Sequence, residues 1–252
     1  MTSLQILIKT LDDWMKPDQF PDYAPNGLQV EGKPTIHRLA LGVTASQAVI
    51  DEAIIWKADA LLVHHGYFWK NEAITLTGMK GRRIKTLFQN DSSLIAYHLP
   101  LDCHPEFGNN VTLLDELGFF NRRAVDGENG LLWEAILPEG TTLEALTSHI
   151  NKSIRRRPLT ICGSDDNTIV RRMIVCTGGA QDYLSKAHKH GADVYLSGEI
   201  SERTTHEARE LGIHYISAGH HATESYGIQA LGRKLQTEFA LEIQFFDDHN
   251  PA

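Results

Sequence analysis

Three short stretches of the sequence carry side chains suited to a metal site: the doublet His64-His65 before Gly66, His98 with Asp102, and His220 with Glu224 at the same spacing. Neutral imidazole and carboxylate suit divalent first-row ions such as Zn, Mn, Fe or Co and leave the ion's identity open. No cysteine joins the set, which argues against a structural thiolate zinc site. Successive side chains on a strand point to opposite faces, so adjacent histidines seldom reach one ion. Two ions would use both. The expected arrangement has His65 and Asp102 on one ion, His64 and His220 on the other, and Glu224 bridging them with a water between. A pair of ions lowers the pKa of such a water toward neutrality, which makes hydrolysis the natural chemistry.

The chain has 13 histidines, so some will stand near others without purpose. His37, His149, His188, His190, His206, His214 and His249 read as surface or hydrogen-bonded core residues. His98, His104 and His221 each neighbour a proposed ligand and are candidates for orienting a ligand or moving protons, with His98 foremost. The basic run Lys80, Arg82, Arg83, Lys85 and the triplet Arg155-Arg156-Arg157 read first as solvated faces. Thr177-Gly178-Gly179-Ala180 lacks the GxGxxG pattern and the P-loop lysine, so it reads as a tight turn. Tyr67, Phe68 and Trp69 beside the histidine doublet read as packing, with a pocket wall for a stacked base as the alternative.

The elements that must position these residues follow from apolar periodicity. Ser3 to Met15 has helical spacing with Ser3 as cap, and Pro17 and Pro21 end it. A loop over Ala24 to Gly32 precedes a strand at Leu39 to Val43, a helix at about Ala45 to Lys57, a strand at Ala60 to His64 and another at Leu94 to Tyr97. The pattern then recurs: strand Met173 to Cys176, helix Gln181 to His190, strand Val194 to Leu196, strand His214 to Ala218, and a helix from about Thr223 to Leu235. Ala58-Asp59 aligns with Ala192-Asp193 without gaps, carrying Gln47 onto Gln181 and Arg38 onto Arg172. A second alignment lays Ala96-Tyr97-His98 on Ala218-Gly219-His220 and Asp102 on Glu224. The expected fold is therefore α/β, two pseudo-symmetric interlocking lobes, with residues 1–126 plus 216–252 as the lobe carrying most metal ligands and residues 127–215 as the other. The join falls near the turn-forming stretch Asp126 to Gly130. Ligands in open α/β sheets gather beyond the carboxyl ends of strands, where all three histidine motifs stand.

Bulk properties narrow the class. A chain of 252 residues, 42% of them hydrophobic, can bury a substantial core. A net charge of -8 opposes sequence-independent nucleic-acid binding, which needs a cationic surface, and leaves nucleic acid an unsupported partner. Cys103, Cys162 and Cys176 are odd in number with no CxxC, which fits a reducing, cytoplasmic setting. No basic leader precedes a long apolar run, and no stretch approaches the roughly 20 apolar residues of a membrane span, so no membrane partner is expected.

Four motifs, PNGLQVEG at Pro25 to Gly32, LLVHHG at Leu61 to Gly66, YHLPLD at Tyr97 to Asp102 and GHHATE at Gly219 to Glu224, resemble the GTP cyclohydrolase I type 2 homologue family, also called the NGG-interacting-factor-3-like family. The resemblance spans nearly the whole chain. It implies a two-lobed fold, a toroidal homohexamer and a dinuclear centre of two divalent ions held by His64, His65, Asp102, His220 and Glu224. It also implies, as an expectation, hydrolytic opening of the guanine ring of GTP at C8 with release of formate, with His98 and Glu224 as the catalytic side chains. The broader expectation is a hydrolase for a nucleotide or another phosphorylated small molecule. A metal-dependent regulatory, interaction or chaperone-like protein without turnover is the alternative.

Overall fold

The computed structural model describes residues 1–165 and 168–252. The chain opens with strand β1 (Thr2–Ser3) and helix α1 (Leu4–Met15), continues through β2 (Gly27–Val30) and β3 (Thr35–Ile36), and then enters β4 (Arg38–Thr44), α2 (Gln47–Ile55), β5 (Ala60–His65), α3 (Gly78–Gln89) and β6 (Ser93–Ala96). Ser3 caps α1 by accepting from the Ile6 amide, and Leu4, Leu7, Leu11 and Met15 form its buried stripe. Lys16 turns left-handed at the end of α1, and Pro17 cannot continue the helix. Ser46 caps α2 in the same way, through the Val49 amide. The segment expected to be a loop contains β2, a four-residue strand too short and too alternately exposed to stand out in the sequence.

Short helices α4 (Leu99–Asp102) and α5 (Asn109–Glu116) lead to β7 (Arg122–Ala124), β8 (Trp133–Ile136), α6 (Leu143–Ile154) and β9 (Leu159–Ile161). The second run follows: β10 (Arg172–Cys176), α7 (Leu184–Lys189), β11 (Val194–Ser197), α8 (Glu202–Leu211), β12 (His214–Ser217), α9 (His220–Phe239) and finally β13 (Glu242–Phe245). The helix expected from Gln181 starts as a 3-10 turn over Gln181–Tyr183 before α7. Helix α9 begins three residues earlier than Thr223, at His220 itself.

The chain divides into two compact units, residues 1–101 with 228–249 and residues 102–227 with 250–252. This differs from the expected division at 126 and 216. Strand pairing is the reason, since β7 joins β8 and β12 joins β11, which ties 102–126 and 216–227 to the second unit. His64 and His65 thus belong to the first unit, and Asp102, His220 and Glu224 to the second.

The first unit's main sheet has the order β13-β4-β5-β6-β2, with β13, β4, β5 and β6 parallel and β2 antiparallel at the edge. Ala40, Leu61, Val63 and Leu94 on one of its faces pack on Val49, Ile50 and Ala53 of α2 and Ile84 and Leu87 of α3. The second unit's sheet has the order β7-β8-β10-β11-β12-β9, with β10, β11 and β12 parallel. Met173 and Val175 pack into one buried cluster and Ile174 and Cys176 into another, so both faces are covered, as the unbroken apolar runs require.

The internal repeat holds at the level of register. Leu39 opposes Ala60 in the first sheet and Met173 opposes Val194 in the second, in step with the first alignment. Asp59 accepts from the His37 and Arg38 amides at 2.9 and 3.1 Å, and Asp193 accepts from the Arg171 and Arg172 amides at 2.8 and 2.9 Å. The second alignment needs correction by one residue. Val63 opposes Ala96 and Ser197 opposes Ser217, so the ladder matches His98 with Gly219 rather than with His220. Both units still deliver a histidine just past the third strand, but from positions that are not equivalent.

Candidate metal centre

In the first unit the histidines cluster where β5 and β6 end. His64 is fully buried, and its Nδ1 lies 3.0 Å from the Tyr97 carbonyl oxygen. A carbonyl only accepts, so Nδ1 carries the proton, as a histidine that ligates metal through Nε2 requires. His65 Nδ1 lies 3.1 Å from Thr44 Oγ1 on the adjacent strand. His98 Nδ1 donates to Asp22 Oδ1 at 2.6 Å, and its backbone amide donates to Asn26 Oδ1 at 2.7 Å. Each of the three rings offers a nitrogen within 4.8 Å of the others. His64 and His65 come together although they are sequence neighbours, with ring centroids 4.4 Å apart. His98 completes the group at 5.1 Å from His64.

Asp22 was not singled out from the sequence. Burial alone would raise its pKa, but the His98 ring, Asn26 and the Leu99 amide outweigh this and bring it down to about 2. It stands three residues before the motif Pro25 to Gly32, outside the stretch that the pattern marked.

In the second unit Asp102 and Glu224 are buried, at 7% and 3% exposure, and carry oxygens within 4.8 Å of one another. Asn109 donates to Asp102 Oδ1 at 2.8 Å, and Asn110 donates to the Asp102 carbonyl at 3.1 Å while accepting from the Thr177 amide at 2.9 Å. His220 stands at the start of α9, with Nε2 3.0 Å from Glu224 and Nδ1 2.6 Å from Glu199. Burial lowers the His220 pKa, but Glu224 and Glu199 together raise it to about 9. Glu199, Asn109 and Asn110 escaped sequence reasoning, since a polar residue past a strand end and a polar pair at a helix start carry no spacing signature.

The Thr177 to Ala180 turn is more than the tight turn expected. Gly178 adopts φ +69°, and a Cβ there would collide with Glu224 Oε1. Its amide donates to Thr223 Oγ1 at 3.1 Å and its carbonyl accepts from the Gly198 and Glu199 amides, so the turn is no anion cradle but the close backing of Glu224. Cys176 lies behind it with its thiol pushed well up, by burial and then by the charges of Asp102, Cys103 and Glu224, which keeps it neutral. His104 Nδ1 accepts the Glu106 and Phe107 amides, and its ring stacks on Phe107 with centroids 3.4 Å apart. His149, His190 and His206 likewise sit in hydrogen bonds to Leu117, Glu128 and Glu202.

The donor chemistry fits a divalent cation in both units. Neighbouring buried carboxylates repel, and a cation relieves that repulsion. A histidine whose Nδ1 is held on a carbonyl offers one well-aimed nitrogen. The fold and these side chains define an α/β protein with histidine and carboxylate groups that could hold metal.

Comparison with known proteins narrows this class. A model of the Duf34/NIF3 (NGG1p interacting factor 3) family matches residues 2–251, and the chain belongs to that family. A relative in Allochromatium vinosum named GTP cyclohydrolase 1 type 2 homolog is 50% identical, with 100% of this chain and 98% of the relative covered. A solved structure described as protein ybgI, unknown function, superposes with a TM-score of 0.93 at 42% identity, with 100% of both chains covered. A protein of Thermus thermophilus, TTHA1606, gives a TM-score of 0.90 at 33% identity, again over 100% of both chains. Among the described residues no helix is long and apolar enough to cross a membrane.

Proposed function

We propose that the protein is a metal-dependent hydrolase acting on a nucleotide or a related phosphorylated small molecule, with His64, His65, Asp102, His220 and Glu224 as ligands to two divalent ions. When bound, the ions supply Lewis acidity and lower the pKa of a water between them. The observation that carries the proposal is the contact of His64 Nδ1 with the Tyr97 carbonyl, which fixes the tautomer that a metal-ligating histidine needs. Asp102 and Glu224 bring the negative charge that balances divalent ions. His98 is assigned to moving protons, because Asp22 holds its Nδ1 and directs Nε2 away from the carboxylate. The names of the relatives add GTP as one candidate substrate. A toroidal homohexamer, testable by light scattering, completes the proposal.

The test is turnover by metal-reconstituted wild type and Glu224→Ala against GTP, damaged nucleotides and other phosphorylated metabolites, with metal content measured in parallel. Turnover that requires both metal and Glu224 is expected. Full occupancy without turnover across the panel overturns the hydrolase and favours a regulatory role. His64→Ala and His65→Ala are each expected to lose one ion; loss of both in one variant and neither in the other sinks the ligand assignment.

A further inference from the structure

Beside the histidine group of the first unit stands Trp69, on a segment whose construction serves mainly to place it. Its ring centroid is 4.9 Å from that of His98, nearly perpendicular at 83°, and 5.9 Å from that of His65. Phe68, the residue before it, has φ +67°, a left-handed conformation that a bulky residue adopts only when its surroundings impose it. Glu72 imposes it, accepting from the Phe68 amide at 2.8 Å and the Trp69 amide at 3.3 Å. Glu72 is held in turn by Lys80, 3.6 Å away and only 7% exposed, which also donates to the Ala73 carbonyl. The indole Nε1 is fastened to the Gly66 carbonyl at 3.2 Å.

A second aromatic residue is tied to the same place. Tyr23, 58% exposed, lies 6.3 Å from the His98 ring, and its carbonyl accepts the Lys70 amide at 2.7 Å. Gln29 joins the two segments further, with Oε1 accepting the Tyr67 amide at 2.8 Å and Nε2 donating to the Pro25 and Tyr67 carbonyls. A strained backbone, a buried lysine and two cross-linked loops are a large commitment for rings that stay partly open to solvent.

We propose that Trp69, flanked by Tyr23, is a stacking platform that selects substrates bearing a planar heteroaromatic ring at the histidine group. The proposal rests on the hydrolase assignment above and narrows its substrate class. A flat ring gains on an indole face through stacking that tolerates variation in ring substituents, and a sugar phosphate without a ring gains nothing there. The indole is fastened before ligand arrives, so little of the binding free energy is lost to ordering it.

The test compares guanosine 5′-monophosphate with ribose 5-phosphate on the metal-loaded full chain, by titration calorimetry and by quenching of tryptophan fluorescence. Wild type is expected to bind the nucleotide at least roughly tenfold more tightly than the sugar phosphate. Trp69→Ala should collapse that ratio to within about threefold, Trp69→Phe should keep most of it, and Tyr23→Ala should reduce it in part, at unchanged metal content. Tyr23 is exposed, so its variant tests the platform even if Trp69→Ala fails to fold. Equal affinity for the two probes in wild type, no nucleotide binding at millimolar concentration, or a ratio untouched by Trp69→Ala overturns the platform. Failure of the hydrolase assignment looks different: discrimination between probes persists while no substrate turns over. Turnover of ring-free phosphates as fast as nucleotides would sink the platform and spare the hydrolase.

Discussion

The two units build the same parallel frame and finish its strand ends with different chemistry. Where β5 ends in His64-His65, the matching positions after β11 are Gly198 and Glu199. Thr44, which meets His65 through its hydroxyl, corresponds to Gly178, which has no side chain and lets Glu224 approach its backbone. The second unit, lacking an imidazole at its strand end, takes one from His220 at the start of α9 and uses Glu199 to hold it. The repeat thus keeps register while the side chains at the strand ends differ. The strand ends of one unit carry mostly imidazole and those of the other mostly carboxylate.

The sharpest way to break that contrast is to give Gly178 a Cβ, which its counterpart Thr44 has. Gly178→Ala places a Cβ against Glu224 at φ +69°. Overpacking together with left-handed strain is expected to cost about 3 kcal/mol in urea unfolding and to abolish high-affinity metal binding. Thr44→Gly, the reverse exchange in the first unit, should leave no such clash. If Gly178→Ala unfolds at the wild-type urea concentration, the close backing of Glu224 is not required.

Next in size is the orienting carboxylate. Glu199 accepts a hydrogen bond from His220 Nδ1 at 2.6 Å, and removing such a partner typically weakens metal binding by about 10–100-fold. Glu199→Ala should show that loss in chelator competition, and Glu199→Gln, which keeps an acceptor, should recover part of it. Unchanged affinity in the alanine variant would mean that His220 orients itself.

The sequence revealed much of this frame because its interior strands are unbroken apolar runs such as Leu39 to Val43 and Ala60 to Val63, and because Ser3 and the prolines bracket α1. What it hid has physical causes. Strand β2 is four residues long and half-exposed, so its hydrogen bonding to β6, not its pattern, makes it a strand. The one-residue slip between His98 and His220 cannot be seen where the match rests on a few small residues; only the ladder fixes it. The histidine motifs were legible by spacing. Their partners Asp22, Glu199 and Asn109 were not, since none belongs to a spaced motif and each is recognised only by what its side chain touches.

A pH titration sharpens the comparison at its most symmetrical point, Asp59 and Asp193. Burial raises the Asp59 pKa, but the Arg38 and His37 amides and Lys33 outweigh it and leave the pKa below its ordinary value. A carboxylate depressed in this way stabilises the fold above its unfolded pKa, and the contribution is lost as pH falls through the folded value. Asp59→Asn should therefore cost about 1 kcal/mol at pH 7, with the difference from wild type shrinking below about pH 4. Asp193 keeps the same two backbone contacts in the second unit, but among the described residues no lysine pairs with it as Lys33 pairs with Asp59, so Asp193→Asn is expected to cost less. Equal losses at all pH values would assign both aspartates a purely geometric role.

The smallest effect belongs to Thr44. Its hydroxyl orients His65 as Glu199 orients His220, but a neutral oxygen 3.1 Å away makes a weaker bond than a carboxylate at 2.6 Å. Thr44→Val keeps the β-branched shape that β4 favours and removes only the oxygen. A hydrogen bond between neutral partners contributes about 1 kcal/mol, so metal affinity should fall by roughly fivefold or less. The rank order of Glu199→Ala above Thr44→Val is the decisive readout. If the order reverses, orientation by charge is not what separates the two strand ends, and the hydroxyl contact of His65 matters more than the carboxylate contact of His220.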